Sequence, residues 1–284
     1  MFPKFRSLSW RGTAALRSLR ALASRDRVVI DRVDLVSTAG YRLAARRVRP
    51  PGNEKLPGLV ISPAIHQGVD SLLGSSAIVN AMEIAALGYI VLIHDPAGRG
   101  ESWGEEDFGG PEHQDNLRVA YQSLRRNPAC SGQVGVLSLS LGIAAAAGAL
   151  LAYADEMDAC WLVDWEGPSD RDIITAGGKL MAPAAGHAMD DAGYWQPREA
   201  VRAAGRLRCG YVRLQARPDH AQPDEVRHAM RMMRAAEAGE LPWYQINDHP
   251  RGLVPERPEW APGGPLAANQ LILRKLRNLR AGMQ

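Results

Sequence analysis

The sequence predicts an α/β fold: a doubly wound, mostly parallel sheet with a cap insertion after the sixth strand. Two observations support this prediction. Short apolar runs of strand length alternate along the chain with amphipathic segments of helix length, which is typical of a parallel sheet covered by helices. Polar residues follow directly after several of the apolar runs. Loops at the carboxyl ends of parallel strands have this composition, and they collect at one edge of the sheet.

Length and composition limit the class of protein. A chain of 284 residues can bury the core of one large α/β domain or of two small ones. Its hydrophobic fraction of 46% and charged fraction of 23% are those of a soluble globular protein. The formal net charge of +3 provides no overall field for nucleic acid, so we expect no nucleic-acid partner.

The cysteines and the hydropathy pattern bear on localisation. Cys130, Cys160 and Cys209 are scattered and odd in number, which favours a reducing compartment with unpaired thiols. No apolar run approaches the roughly 20 residues that span a bilayer. We therefore expect a cytoplasmic protein.

Residues 1–27 are predicted to form a basic N-terminal extension, and residues 28–284 are predicted to form the α/β domain. The first 25 residues carry six Lys and Arg residues and no acid, and these charges rule out the apolar core of a secretory signal. We favour a docked or solvated helix. A transit-like extension and peripheral contact of residues 1–25 with anionic lipid stay open as alternatives.

The first half of the domain is predicted to begin with strands. Residues 28–50 alternate apolar and polar side chains around Thr38-Ala39-Gly40, which predicts a β-hairpin. Four further elements are predicted from apolar runs and helical periodicity: strands over 59–65 and 89–94, and helices over 76–87 and 111–126.

The second half continues the alternation. The predicted elements are strands over 160–164, 211–216 and 243–246, and helices over 225–238 and 266–280. Residues from about 165 to 208 are rich in Gly, Pro, Met and Asp and lack clear periodicity. An insertion of this kind between core elements commonly covers a site, so we predict a cap there.

The central motif lies in residues 134–148, where an apolar run passes through Ser138-Leu139-Ser140-Leu141-Gly142 into an alanine-rich segment. This order predicts a buried strand, a very tight turn and a helix. The corresponding motif, G-x-S-x-G, presents a serine nucleophile at the tip of the turn. Ser138 replaces the first glycine, at a position that needs a small side chain because strand and helix cross closely. Ser140 is therefore the candidate nucleophile.

A serine nucleophile needs a base and an acid, and Asp219 and His249 supply them in the predicted order. Both follow later strands, so the chain order is nucleophile, acid, base, as in one known arrangement of serine triads. The imidazole accepts the hydroxyl proton, and the carboxylate orients the imidazole and stabilises its charged form.

Other residues could fill the same roles. We prefer His249 to His66, His94 and His220 because it alone follows the last strand. Asp164 and Glu166 follow the preceding strand, and either could supply the carboxylate in place of Asp219.

Taken together, these segments resemble the α/β-hydrolase fold superfamily of serine hydrolases, and within it the dienelactone hydrolase and acyl-peptidase-like branch. The matching segments are 88–102, 135–142, 212–223 and 246–252. The resemblance implies that the loop from Asp95 to Ser102 is structural. It also implies an oxyanion hole made by the backbone amide of Leu141 and by one from the loop His66-Gln67-Gly68, for which we take Gln67.

The resemblance implies a cofactor-free serine hydrolase that cleaves a carboxylic ester of a small molecule through an acyl-enzyme on Ser140. Thioesterase or peptidase-like acyl hydrolysis on the same triad stays open. The departures from the family pattern at Ser138 and Asp248 motivate a further alternative, a non-catalytic binding protein of the same fold.

We expect neither a nucleotide cofactor nor a metal. Gly98-Arg99-Gly100 lacks the third glycine and the helix context of a phosphate-binding fingerprint. Four residues with helical spacing carry metal-ligand side chains, and we interpret them as solvated helix residues: His220, Asp224, Glu225 and His228.

Overall fold

The computed structural model describes residues 28–74, 78–222, 225–256 and 258–283. The predicted N-terminal extension, with its helix and its membrane contact, lies outside the described residues. None of the helices in the described ranges combines the length and the apolar character needed to cross a membrane.

The strands of the described chain form one large sheet and one small pair. They are β1 (Val29–Val36), β2 (Arg42–Arg49), β3 (Leu56–Ser62), β4 (Ile90–His94), β5 (Cys130–Leu139), β6 (Trp161–Trp165), β7 (Gly210–Leu214), β8 (Ala216–Arg217), β9 (Tyr244–Ile246) and β10 (Ala261–Pro262). The large sheet has the order β1-β2-β4-β3-β5-β6-β7-β9, and β8 pairs with β10.

The sheet is mostly parallel, which confirms the predicted fold class. Strand β2 is antiparallel to both β1 and β4, so the predicted N-terminal hairpin is present. The other neighbours in the large sheet are parallel. In the register of β5 with β6, Leu139 lies opposite Trp165, which in turn lies opposite Leu214 of β7. The loops that follow these three strands therefore start side by side.

Helices cover both faces of the sheet. They are α1 (Val69–Leu73), α2 (Ala81–Ala85), α3 (Pro111–Arg125), α4 (Gly142–Ala152), α5 (Arg171–Ala176), α6 (Gly178–Met181), α7 (Ala192–Trp195), α8 (Ala200–Ala204), α9 (Glu225–Glu237) and α10 (Pro265–Ala281). The segment between β6 and β7 holds α5 to α8 and two 3₁₀ turns, Ala182–Ala185 and Gln196–Arg198.

One predicted helix begins later than expected. The helix predicted over 76–87 is α2, which begins after Asn80. The Asn80 side chain accepts a hydrogen bond from the Met82 amide at 2.8 Å, and an N-cap of this kind fixes the first turn of a helix.

The core has two parts, one on each face of the sheet. Along β3, Val60 packs with α3 and α4, whereas Leu59 and Ile61 point to the face covered by α2 and α10. Alternate residues of a strand point to opposite faces, so a strand buried on both faces is apolar throughout. This arrangement explains the continuous apolar runs in the sequence.

The start of α4 lies almost in contact with the end of β3. A Cβ atom on Gly142 would lie 2.4 Å from the Ser62 carbonyl oxygen and 2.7 Å from that of Pro63. The Ser62 hydroxyl donates a 2.8 Å hydrogen bond to the Gly142 carbonyl across the same gap. Glycine is therefore required at this position, and the first residue of α4 is held against the end of β3.

His94, at the end of β4, should make stability depend on pH. It is 1% exposed. Burial, together with the nearby His113 and Arg99, lowers the pKa of His94 to about 3. An unfolded chain binds this proton near pH 6.5. Between about pH 3 and 6.5 the unfolded state therefore binds more protons, and the free energy of unfolding rises with pH.

In His94→Gln, we expect the free energy of unfolding to rise less steeply with pH below pH 6.5. The slope should be smaller by up to about 1.4 kcal/mol per pH unit. Urea unfolding of both proteins at pH 7 and pH 5 measures it. The comparison uses the difference between the two pH values, so a general loss of stability in the variant cancels. Equal pH dependence in the two proteins would contradict this role of His94.

Candidate active site

Ser140 lies at the tip of the turn between β5 and α4. Its φ of +51° is in the left-handed region, which residues with a side chain rarely adopt. The turn is held by the Ser140 amide, which donates a 2.9 Å hydrogen bond to the Trp165 carbonyl at the end of β6. A strained serine at the end of a parallel strand and the start of a helix is the geometry of a nucleophile elbow.

Ser138 occupies the position where the motif usually has glycine. It is fully buried in β5, between Ser62 of β3 and Asp164 of β6. Its hydroxyl lies 3.4 Å from the Val163 carbonyl oxygen. The site therefore accommodates one small polar side chain with a backbone acceptor, which agrees with the expectation that smallness matters here.

The Ser140 hydroxyl contacts the imidazole of His220. Ser140 Oγ lies 2.8 Å from His220 Nε2, and His220 Nδ1 lies 2.7 Å from Glu166 Oε2. With the proton on Nδ1, the imidazole donates to the carboxylate and Nε2 is left to accept the serine proton. Hydroxyl, imidazole and carboxylate thus form one continuous line of hydrogen bonds.

Glu166 is fixed in place by backbone donors. It follows β6 directly, is 2% exposed and has a φ of +47°. Its Oε1 accepts from the Ala216 amide at 2.9 Å, and its Oε2 accepts from the His220 amide at 3.1 Å. Both oxygens are held, so the carboxylate can orient the imidazole with little freedom of its own.

Trp165 covers the imidazole. The rings of Trp165 and His220 have centroids 4.4 Å apart and are tilted by 31°. Trp165 is 3% exposed, whereas the His220 side chain remains 25% exposed. An indole face packed against an imidazole restricts the rotation of the imidazole ring.

The structure corrects the predicted pairing of Ser140 with His249. His249 Nε2 accepts a 2.9 Å hydrogen bond from the Glu259 amide. The cause lies two residues earlier, at Asn247. Its side chain accepts a hydrogen bond from the Gln215 amide and donates to the Gln215 and Glu259 carbonyls. These bonds turn the chain after β9 towards Glu259. His249 lines a surface cleft of about 450 Å³, and Ser140 is not among the lining residues.

Asp219 lies near the imidazole but further away than Glu166. Its Oδ1 is 3.4 Å from His220 Nδ1 and also accepts from the amides of Ala221 and Gln222 at 2.8 and 2.7 Å. Burial raises the pKa of Asp219, but hydrogen bonds, the largest from His228, hold it below its ordinary value overall. Asp219 is thus an ionised carboxylate whose nearest donors are those of its own loop. The structure therefore replaces Asp219 with Glu166 as the closer partner of the imidazole.

Asp164 is engaged elsewhere. Its Oδ2 accepts from Arg213 Nη1 at 2.7 Å and from the Tyr211 hydroxyl at 2.8 Å, and both Asp164 and Arg213 are fully buried. A buried ion pair is stable only when its remaining donors are satisfied. Arg213 meets this condition by donating to the Gly167 carbonyl and to Gln215.

The two predicted oxyanion donors, the amides of Leu141 and Gln67, differ in their hydrogen bonding. The Leu141 amide lies at the start of α4, where the first four N–H groups have no acceptor within the helix. The Gln67 amide instead donates to the Ala64 carbonyl at 3.0 Å, and the Gly68 amide donates to Ser71 Oγ at 2.9 Å. These turn-closing bonds occupy Gln67, which corrects its assignment as an oxyanion donor.

In the sequence, His220 and Glu166 are only alternatives to His249 and Asp219. The signal that the sequence offers for these residues is their position after neighbouring strands. Ser140 and Glu166 both follow neighbouring parallel strands directly, and His220 lies in the loop after the next strand. Three consecutive strands in the sheet therefore supply the three side chains.

The same side chains make up the potential metal ligands of the described chain. Among the residues that the structure describes, Glu166, Asp219 and His220 have ligand atoms within 4.8 Å of one another. A cation there would bind Nδ1, the atom that lies 2.7 Å from Glu166 Oε2. Of the helix-spaced set considered in the sequence, Asp224 and the Glu225 side chain lie outside the described part.

A small apolar cluster lies beside the elbow. Its buried members come from the loop after β3, from the elbow and α4, and from the segment between β6 and β7: Ile65, Leu141, Ala144, Ile174, Met181, Ala184 and Trp195. The cluster includes the residue next to Ser140, so apolar side chains border the serine.

Comparison with known proteins adds a family match. The model of the family described as X-Pro dipeptidyl-peptidase (S15 family) matches residues 39–251, well over half of the chain. No curated protein matches the chain.

Solved structures share the fold at low sequence identity. An esterase of Pyrococcus furiosus is 14% identical with a TM-score of 0.62, over 99% of this chain and 95% of that one. Brefeldin A esterase, a bacterial homologue of human hormone-sensitive lipase, is 15% identical with a TM-score of 0.63, over 99% and 88%. The Pyrococcus horikoshii acylaminoacyl peptidase is 11% identical with a TM-score of 0.62, over 90% of this chain but 41% of its own.

Proposed function

Because the chain belongs to the X-Pro dipeptidyl-peptidase (S15) family of α/β-hydrolase fold enzymes, we propose that it is a serine hydrolase whose catalytic residues are Ser140, His220 and Glu166. The observation that carries the proposal is the unbroken line from the serine hydroxyl through the imidazole to a buried carboxylate. A nucleophile, a base and an orienting acid in hydrogen-bond contact have the geometry that activates a serine.

Acylation begins at the Ser140 hydroxyl. Oγ attacks the carbonyl carbon of the substrate while His220 Nε2 takes the hydroxyl proton, and the carbonyl π electrons move to oxygen. When the tetrahedral intermediate collapses, the bond to the leaving group breaks and His220 gives its proton to the departing oxygen. Glu166 remains ionised and stabilises the transient imidazolium. The product is an ester of Ser140.

Deacylation repeats the steps with water. His220 Nε2 takes a proton from a water molecule, whose oxygen attacks the acyl carbon, and the proton is then returned to Ser140 Oγ. Part of the His220 side chain is exposed, so water can reach the imidazole. The free acid leaves and the serine is restored.

The oxyanion needs two donors, and we assign them to the Leu141 and Ile65 amides. Leu141 is the residue after the nucleophile, and its side chain packs in the same cluster as that of Ile65. Ile65 belongs to the loop after β3, beside the end of β5. Loss of one oxyanion donor typically costs about 3 kcal/mol of transition-state stabilisation.

Paired carboxylates favour a neutral acyl group over a dipeptide with a free amino terminus. An ammonium group buried at such a site would need a carboxylate partner, because an unpaired buried charge costs several kcal/mol. Four acids on the segments beside the apolar cluster are already paired with arginine: Glu106 with Arg99, Asp107 with Arg198, Asp170 with Arg231 and Glu199 with Arg171. We therefore propose a carboxylic ester with an apolar acyl group as the substrate class.

Peptide hydrolysis is the second candidate, since the matching family model describes a dipeptidyl-peptidase. Turnover of p-nitrophenyl butyrate and of Gly-Pro-p-nitroanilide separates the two. We expect kcat/KM to be at least about 100-fold lower for the peptide, which carries the unpaired ammonium. Ser140→Ala should abolish ester turnover. Faster cleavage of the dipeptide would make the enzyme a peptidase, and no turnover of either substrate would favour the binding-protein alternative.

A further inference from the structure

Arg99 has a buried guanidinium that the catalytic steps do not use. It lies in the loop after β4, in the Gly98-Arg99-Gly100 segment, and its side chain is 8% exposed. Its Nη1 donates to the Ala64 carbonyl at 2.8 Å. Its Nε and Nη2 donate to the two carboxylate oxygens of Glu106 at 2.6 and 2.8 Å. The side chain therefore links the loop after β3 to the segment around Glu106.

The bond to Ala64 fixes the direction of the next amide. In a planar trans peptide, the C=O and the following N–H point in opposite directions. The Ala64 carbonyl is directed at Arg99 and at the Gln67 amide, which donates to it at 3.0 Å. The Ile65 N–H, which belongs to the same peptide unit, must therefore point away from Arg99.

We propose that Arg99 is a positioning residue that aims the Ile65 amide at the oxyanion of the reaction. This inference rests on the proposed function, because it needs Ser140 to be the nucleophile. The proposal gives a role to Arg99 in the Gly98-Arg99-Gly100 segment, which the catalytic steps do not use. Arg99 touches no reacting atom and acts only through the loop.

The loop needs such a restraint because its own backbone is strained. His66 has a φ of +58°, in the left-handed region. Beyond the tip, the Val69 amide donates to Asp95 Oδ1 at 2.6 Å, which holds the far end of the loop. Arg99 holds the near end, so the strained tip is anchored on both sides.

Glu106 in turn orients the guanidinium. Its Oε1 also accepts from the Phe108 amide at 2.8 Å. Burial raises the pKa of Glu106, but the hydrogen bond and charge of Arg99 outweigh it and hold the pKa below its ordinary value. The bidentate contact uses two donors of the planar group and leaves Nη1 for Ala64. Lysine has a single charged nitrogen and cannot reproduce both contacts.

The test measures kcat and KM of Arg99→Lys and Arg99→Gln with p-nitrophenyl butyrate. We expect kcat to fall about 100-fold in Arg99→Gln, as for loss of one oxyanion donor, with KM changed less than about threefold. Arg99→Lys should show a similar fall, because it keeps the charge and loses the geometry. The exposed pair of Arg125 with Asp158 offers a matched control, and Arg125→Lys should leave kcat unchanged.

A second readout separates positioning from a structural role. The sulfur of a thionoester accepts hydrogen bonds poorly, so its hydrolysis depends less on the oxyanion donors. We expect the ratio of ester to thionoester kcat to fall in both Arg99 variants, and thermal unfolding identifies any variant that has lost its fold. An unchanged ratio, or a kcat within about threefold of wild type in folded Arg99→Lys, would overturn the role of Arg99 alone. Ester turnover that survives Ser140→Ala would overturn the proposed function and this inference together.

Discussion

Replacing His220 with asparagine is expected to lower kcat for p-nitrophenyl butyrate by at least about 10⁴-fold. The reason is the 2.8 Å contact between Ser140 Oγ and His220 Nε2. Without the imidazole the hydroxyl keeps its proton and is a poor nucleophile. The residual rate would come from the oxyanion donors and substrate binding. Steady-state kinetics of the purified variant measure the effect.

His249→Asn is the matched control for this experiment. His249 is bonded to the Glu259 amide and lines a separate cleft, so its loss should change kcat by less than about threefold. The two variants have the same chemistry of substitution and differ only in position. A large loss in His249→Asn with a small one in His220→Asn would restore the assignment made from chain order.

Glu166→Gln is expected to lower kcat by up to about 10⁴-fold. The amide keeps the size of the side chain but can present an N–H to His220 Nδ1, which would stabilise the wrong tautomer of the imidazole. The charge that balances the imidazolium is lost as well. The same kinetic assay measures the change, and circular dichroism establishes that the variant is folded.

Asp219→Asn should have the smaller effect, no more than about tenfold in kcat, because Asp219 Oδ1 is 3.4 Å from Nδ1 and Glu166 Oε2 is 2.7 Å away. Asp164→Asn breaks a buried ion pair and is expected to act on the free energy of unfolding, by several kcal/mol. If Asp219→Asn proved more damaging than Glu166→Gln in folded proteins, the orienting acid would be Asp219.

The sheet and the elbow could be predicted because their signals are local. A strand buried on both faces contains a continuous apolar run, such as Ile90–Ile93 of β4 or Trp161–Val163 of β6, and both runs are visible in the sequence. The tight turn at Ser140 imposes small residues two positions away on either side, and these were visible as Ser138 and Gly142. Both signals lie within a few residues of the feature that they predict.

The base could not be predicted because three loops carry a histidine after a strand, at His66, His220 and His249, and local sequence pattern does not tell which one reaches Ser140. The choice depends on contacts distant in sequence. Asn247 binds Gln215 and Glu259, which directs His249 away, whereas Glu166 binds the Ala216 and His220 amides, which draws His220 in. Hydrogen bonds between loops leave no periodic trace in the sequence.

The loop after β3 is a second case in which local sequence pattern is not enough. The family resemblance takes an oxyanion donor from this loop, but the amide of Gln67 closes a turn with Ala64. The partner that fixes that turn, Arg99, comes from another strand's loop. The direction of the amides in this loop therefore depends on a contact between residues more than 30 positions apart.

Activation of Ser140 by His220 is tested by the rate of labelling with a fluorophosphonate probe. We expect rapid labelling of wild type and of His249→Asn, located on the peptide that contains Ser140. Ser140→Ala should not be labelled, and His220→Asn should be labelled more slowly by several orders of magnitude. Undiminished labelling of folded Ser140→Ala or His220→Asn would overturn the assignment of the nucleophile or of the base.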